Sequence, residues 1–287
     1  MEEIEISARG MRFNALAHGQ RDHPLLLLLH GLPRNSWEWH HQIRPMAELG
    51  YRVVAHDLRG FCDGARPDGV ESYHLAEYIA DTLAIADKLA GAGTPFHLMG
   101  TSIGSSIAWG LAAKHPDRVQ SLVAINIPHP SAIREVMAAA PAAADQSERF
   151  SYFREAAKDG NERFMFERML EVQAVPAAES EPYRRALDSD EALRAVFHWY
   201  RALRLWAGEE FPPVTAPTTF VWPPGSDNVS RASVDATANW VTGPYRLEVI
   251  EDAHQPILQA EPEQLTEMLL AHLARLPSDG AGSTSRA

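Results

Sequence analysis

Phe96-His97-Leu98-Met99-Gly100-Thr101-Ser102-Ile103-Gly104-Ser105-Ser106-Ile107 runs from an apolar strand through a glycine-flanked serine straight into a helix. Residues 96–99 read as the strand and Ile103–Lys114 as the helix, so Ser102 falls on the turn between them. A tight turn needs glycine two positions to either side, because side chains there would collide. It also sets the serine at a helix N-terminus, where free amides and the macrodipole favour developing negative charge. That is where a nucleophile belongs.

The pattern outward from this turn is a strand–helix alternation. Leu25–Leu29 is five leucines in a row, as expected of a strand buried on both faces. Further strands are expected at residues 3–7, 11–17, 51–56 and 119–127, with helices at 37–49 and 73–89. Such alternation is the signature of an α/β fold with a doubly wound, mostly parallel sheet. It stops after Pro130. Residues 131–213 contain no convincing strand, only Ala-, Glu- and Arg-rich helical stretches broken by Pro141, Pro176 and Pro182. The alternation then resumes with a strand at Thr218–Trp222, a helix at 231–241, a strand at 245–250 and a helix at 263–276. The expected organisation is a core of residues 1–130 and 214–276, an inserted helical cap over 131–213, and a flexible tail over 277–287.

Bulk composition narrows the partners. The 287 residues are 45% hydrophobic and 22% charged, in the globular range. Acids outnumber bases 38 to 26, for a net charge of −12 without a basic tract, so neither nucleic acid nor an anionic membrane is expected as a partner. Cys62 is the single cysteine, which excludes an intramolecular disulfide. The start carries no signal-peptide pattern, and the longest aliphatic run is far short of the ~20 residues a membrane span needs. A cytoplasmic protein is expected, and a homodimer is left open.

Other loops offer what a serine nucleophile requires. His30-Gly31-Leu32-Pro33 follows the leucine strand directly, at the end of the sheet where open α/β folds build their sites. The Leu32 and Ile103 amides are expected to form an oxyanion hole. Of the histidines, His254 stands out, in a loop between the last strand and the last helix. The order Ser, then acid, then His suits a triad with His254 as base. Asp227 is the first carboxylate after the strand Thr218–Trp222 and is expected to orient it, with Asp252 as fallback.

With these motifs in order, the chain resembles the α/β-hydrolase superfamily, and within it the epoxide-hydrolase-like branch. The likeness runs from about Leu25 to Leu276. It includes the loop at His30, the Trp37/Trp39 pair, Asp57-Leu58-Arg59-Gly60, the turn at Ser102, His115-Pro116-Asp117-Arg118-Val119, Asn126-Ile127-Pro128-His129-Pro130 and His198-Trp199-Tyr200-Arg201. It implies a cap above the serine and no cofactor. Epoxide hydrolases of this branch carry an aspartate nucleophile followed by tryptophan, and two cap tyrosines that meet the epoxide oxygen. Here Ser102 and Ile103 stand in those positions, Tyr200 matches one tyrosine, and the other falls on Arg149, with Tyr152 three residues on. Ser105 occupies a position where a second glycine is usual, and the loop to Asp227 is one residue longer than the family spacing.

These departures redirect the chemistry. A serine ester of a carboxylic acid is readily hydrolysed, whereas serine attack on an epoxide leaves a stable ether. The expected activity is hydrolysis of a carboxylic ester or lactone, without metal or cofactor. His30, Trp37, Tyr152 and Tyr200 are expected to line a pocket for an apolar or aromatic small molecule. Other acyl substrates, carbon–carbon bond hydrolysis and cofactor-free perhydrolysis use the same triad. A ligand-binding or receptor protein on the same scaffold is the reading from another class.

Overall fold

One sheet divides two apolar cores, and the alternation of side chains along its strands allots residues to each. The computed structural model describes residues 1–276 apart from 140, 174, 176, 207, 226, 227, 252 and 254–256. The chain opens with β1 (Glu2–Ala8) and β2 (Met11–His18), followed by β3 (Leu25–Leu29), α1 (His40–Glu48), β4 (Arg52–His56), α2 (Leu75–Ala90), β5 (Phe96–Thr101), α3 (Ile103–Lys114) and β6 (Val119–Ile125). Six helices follow: α4 (Pro130–Met137), α5 (Ala142–Arg149), α6 (Tyr152–Ala156), α7 (Glu162–Val172), α8 (Ala177–Ala186) and α9 (Asp190–Ala202). The sheet resumes with β7 (Thr218–Trp222), α10 (Arg231–Ala236) and β8 (Tyr245–Val249), and α11 (Ile257–Ala260) and α12 (Pro262–Ala274) close the described chain.

The sheet has eight strands in the order β1-β2-β4-β3-β5-β6-β7-β8. β2 pairs antiparallel with both β1 and β4, and every pair from β4 to β8 is parallel. The leucine run shows why: Leu25, Leu27 and Leu29 enter one core while Leu26 and Leu28 enter the other. β6 and β7 divide in the same way, with Leu122, Ala124 and Phe220 on one side and Val123, Ile125 and Val221 on the other. A strand buried on both faces has no polar positions to alternate.

The two cores differ. The smaller one packs Trp39, Ile43 and Met46 of the α1 side against Leu265, Leu269 and Leu273 of α12. The larger one runs from Ile107 and Trp109 of α3 into the inserted helices, taking in Phe166, Leu170, Tyr183, Val196 and Phe197. Most of the cap aromatics are therefore packing residues, although Phe164 is 65% exposed. A parallel bridge between Val214 and Val241 lies where the insertion returns to the sheet.

Three helices start or stop differently from the sequence expectation, each for a local reason. The stretch 37–49 begins as a 3-10 turn, Ser36–Trp39, whose start is capped by Asn35 accepting the Trp37 N–H at 3.1 Å. The stretch 73–89 is a 3-10 turn, Val70–Tyr73, and then α2, where His74 accepts the Ala76 N–H. The stretch 231–241 relaxes to a 3-10 turn after Ala236. Among the described residues no helix is long and apolar enough to cross a membrane.

Candidate active site

Ser102 stands between β5 and α3 with φ 52° and ψ −119°, a conformation costly for any residue with a Cβ. The neighbouring glycines explain how it is held. A Cβ on Gly100 would lie 2.3 Å from the Gly104 carbonyl oxygen, and one on Gly104 would lie 2.3 Å from that of Leu29. Only hydrogen fits at either place. The Ser102 N–H donates to the Ile125 carbonyl at 3.2 Å and the Gly104 N–H to that of His30 at 3.1 Å, tying the turn to the strands on both sides. Ser105, where glycine is usual, is accommodated: its buried hydroxyl donates to the Ile127 carbonyl at 2.9 Å.

The loop after β3 closes over this turn. A Cβ on Gly31 would come within 2.9 Å of Ser102 Cβ, so the loop backbone passes directly beside the serine. Its Gly31 N–H is turned away, donating to Glu38 Oε2 at 2.7 Å. The Leu32 and Ile103 N–H groups, the expected oxyanion donors, make no hydrogen bond among the described residues. His30, expected in the pocket wall, is instead committed to the fold. Its Nε2 accepts the Leu58 N–H at 2.9 Å, so the proton sits on Nδ1, 2.9 Å from the Gly31 carbonyl oxygen. Burial lowers its pKa to about 3, which keeps it neutral.

A buried ion pair, which the sequence reading did not single out, supports the loop. Arg34 and Glu38 are 1% and 0% exposed. Arg34 Nε donates to Glu38 Oε1, and Nη1 donates to Gln173 Oε1 at the end of α7. Nη2 lies 3.0 Å from the point where a Gly31 Cβ would sit, the same point that Ser102 Cβ approaches. A buried charge of this kind persists only when its partner and hydrogen bonds are complete. The available signal was the i,i+4 spacing of Arg34 and Glu38 beside the loop, but the segment is not a regular helix. Asp57 was likewise seen only as part of a motif. Its Oδ1 accepts the Ser36 N–H at 2.9 Å, and burial raises its pKa to about 6.

The cap brings its two candidate tyrosines together. The Tyr152 and Tyr200 rings are 6.0 Å apart, nearly perpendicular, although 48 residues separate them in the chain. Burial pushes both phenols above their ordinary range, so both are protonated donors at neutral pH. The Arg34 charge reaches the Tyr200 hydroxyl and opposes that rise. Half-buried Trp37 packs against both cores and stacks on His40 at 4.4 Å. His254, Asp227 and Asp252 lie outside the described residues.

With this geometry in hand, residues 24–222 match the family model of the α/β-hydrolase fold. The chain belongs to the α/β-hydrolase superfamily. This hydrolase is 30% identical over 283 residues to the AB hydrolase superfamily protein YfhM of Bacillus subtilis, covering 93% of the present chain and 96% of the relative. It is 29% identical to mouse epoxide hydrolase 4, covering 94% and 78%. A solved variant of an epoxide hydrolase from Bacillus megaterium superposes with a TM-score of 0.83 at 22% identity, over 95% of this chain and all of that one. These relatives put the hydrolase in the epoxide-hydrolase-like branch.

Proposed function

We propose that this hydrolase cleaves a carboxylic ester or lactone through an acyl-enzyme on Ser102. The observation that carries the reading is a serine hydroxyl at the strained turn, where an alkyl-forming member of the branch needs a carboxylate. Ser102 Oγ attacks the carbonyl carbon and its proton passes to His254, oriented by Asp227 or Asp252. The Leu32 and Ile103 amides hold the oxyanion, a contribution of about 10²–10³ in rate per donor in comparable sites. Collapse expels the alkoxide, which leaves with the proton from His254. Water then attacks the acyl-enzyme by the same route, returning the acid and free Ser102. Tyr152 and Tyr200 serve as wall and hydroxyl donors to a second substrate oxygen.

The cap tyrosine pair and the names of the relatives favour a second reading, epoxide ring opening. Against it stands the ether that Ser102 would form, which no step in the site removes.

The test is intact-protein mass spectrometry after a fluorophosphonate probe, run beside panels of aryl and alkyl esters, lactones and epoxides. One adduct per chain on Ser102, with ester or lactone turnover lost in His254→Ala, is the expected result. Epoxide turnover without an adduct would replace this reading with the second. Tight ligand binding with no turnover would point to a binding protein.

A further inference from the structure

Core helix α1 and cap helix α8 meet beside Trp37, and three metal-ligating side chains converge there. His40 and His41 open α1, and Glu179 lies in the first turn of α8. One ligand atom from each lies within 4.8 Å of the other two. None of them takes part in the ester chemistry above.

The hydrogen bonds of His40 decide what the cluster can hold. His40 Nδ1 is 2.8 Å from the Trp37 carbonyl oxygen, which can only accept, so Nδ1 carries the proton. Nε2 of the neutral ring is then a bare lone pair, and it faces Glu179 Oε2 at 3.6 Å. That carboxylate oxygen is itself buried and accepts no hydrogen bond among the described residues. Two lone pairs set against each other repel unless positive charge lies between them. A proton on Nε2 would serve this pair alone. A cation serves better. It also uses His41, for which a proton bridge has no role.

The His40–Glu179 separation suits such an ion. Two ligands on a tetrahedral ion with bonds of about 2.0–2.2 Å lie roughly 3.4 Å apart, close to the observed 3.6 Å. A ring N–H held by a backbone carbonyl is the outer contact that fixes the tautomer of a metal-bound histidine. The net charge of −12 favours cations near the surface. The positive end of the α1 dipole opposes one, and the Glu179 carboxylate offsets it.

We propose that His40, His41 and Glu179 bind one divalent ion of the Zn²⁺ class, with water completing its coordination, and that the ion ties cap helix α8 to core helix α1. Two imidazoles suit Zn²⁺ and Ni²⁺ rather than Mg²⁺, and a carboxylate oxygen is also a zinc ligand. The tie crosses the seam beside Trp37, so the bound ion resists separation of the cap from the core.

The test titrates Zn²⁺ into the full chain, free of any polyhistidine tag, by calorimetry at neutral pH, with Mg²⁺ as control. One saturable Zn²⁺ per chain is expected, with no Mg²⁺ heat. His41→Ala and Glu179→Gln should each weaken binding by about tenfold or more without changing the melting temperature of the metal-free protein. Zn²⁺ should slow limited proteolysis within residues 131–213 in the parent chain and not in Glu179→Gln. Absence of saturable binding up to about 1 mM Zn²⁺ would overturn the site. Binding that survives Glu179→Gln undiminished would place the ion on the histidines alone and overturn the tie.

Discussion

The turn at Ser102 and the helices inserted between β6 and β7 are held by different physics. At the turn the backbone allows no alternative: Ser102 is at φ 52°, and carbonyl oxygens stand 2.3 Å from where side chains on Gly100 and Gly104 would begin. The cap is joined to the core partly through side-chain contacts: Gln173 on Arg34, Asn35 on the Pro182 carbonyl, Arg66 on that of Ala186, and Gln259 on the Tyr183 hydroxyl. Backbone sterics fail abruptly, whereas hydrogen bonds worth about 0.5–1.5 kcal/mol each are lost one at a time. On the proposed reading, a nucleophile needs the first kind of restraint and a lid the second.

Substitutions can break this contrast in order of size. Ser102→Ala should lower ester turnover by about 10⁴-fold or more while the fold persists. Ser102→Gly should remove activity equally and raise the melting temperature, because glycine accepts a positive φ without the roughly 1 kcal/mol or more that serine bears. Equal melting temperatures for the two variants would show that the turn stores no strain. Gly104→Ala should cost about 3–5 kcal/mol in denaturant unfolding, since the added methyl meets backbone. A loss below 1 kcal/mol would mean that the turn adjusts.

Acid titrates both regions. His30 beside the turn has its pKa lowered to about 3, and His129 at the entry to the cap to about 4, in each case mainly by burial. A base with a depressed folded pKa stabilises the fold above the unfolded value of about 6.5. That stability is lost as pH falls toward the folded value. By the linkage relation the upper bound is about 5 kcal/mol for His30 and about 3 kcal/mol for His129. Asp57, raised to about 6 by burial, acts in the opposite sense as pH rises through that value. Unfolding free energies at pH 7 and 5 should fall less in His129→Asn, which keeps a cap acceptor for the Ser131 N–H, than in the parent. An unchanged slope would remove His129 from the acid response. Gln173→Ala is the mildest change, expected to cost about 1 kcal/mol and to move KM more than kcat. A larger effect on kcat would bring the cap seam into the chemistry.

The sheet was readable because β3 buries both faces and stands out as an unbroken run of leucines, with β5 and β7 buried throughout and apolar over most of their length, and the serine turn because its glycines leave a fixed spacing. The polar support was not. Arg34 and Glu38 meet on an irregular segment, and Tyr152 and Tyr200 meet only because α6 and α9 pack together. His30 was read as pocket wall because sequence gives its neighbours in the chain and not Leu58, which occupies its Nε2. The 3-10 openings before α1 and α2 depend on caps at Asn35 and His74 that a periodicity hides.

The larger core has a consequence for cooperativity. It passes without interruption from the sheet through α3 into Phe166, Tyr183 and Phe197, whereas the smaller core holds no residue of the inserted helices. Full detachment of the cap would therefore bring water onto the main core. Slow amide hydrogen exchange should spread from β5 and β6 into α9 as one block. Excising residues 131–213 would leave the remainder with an apolar wound rather than a simpler enzyme.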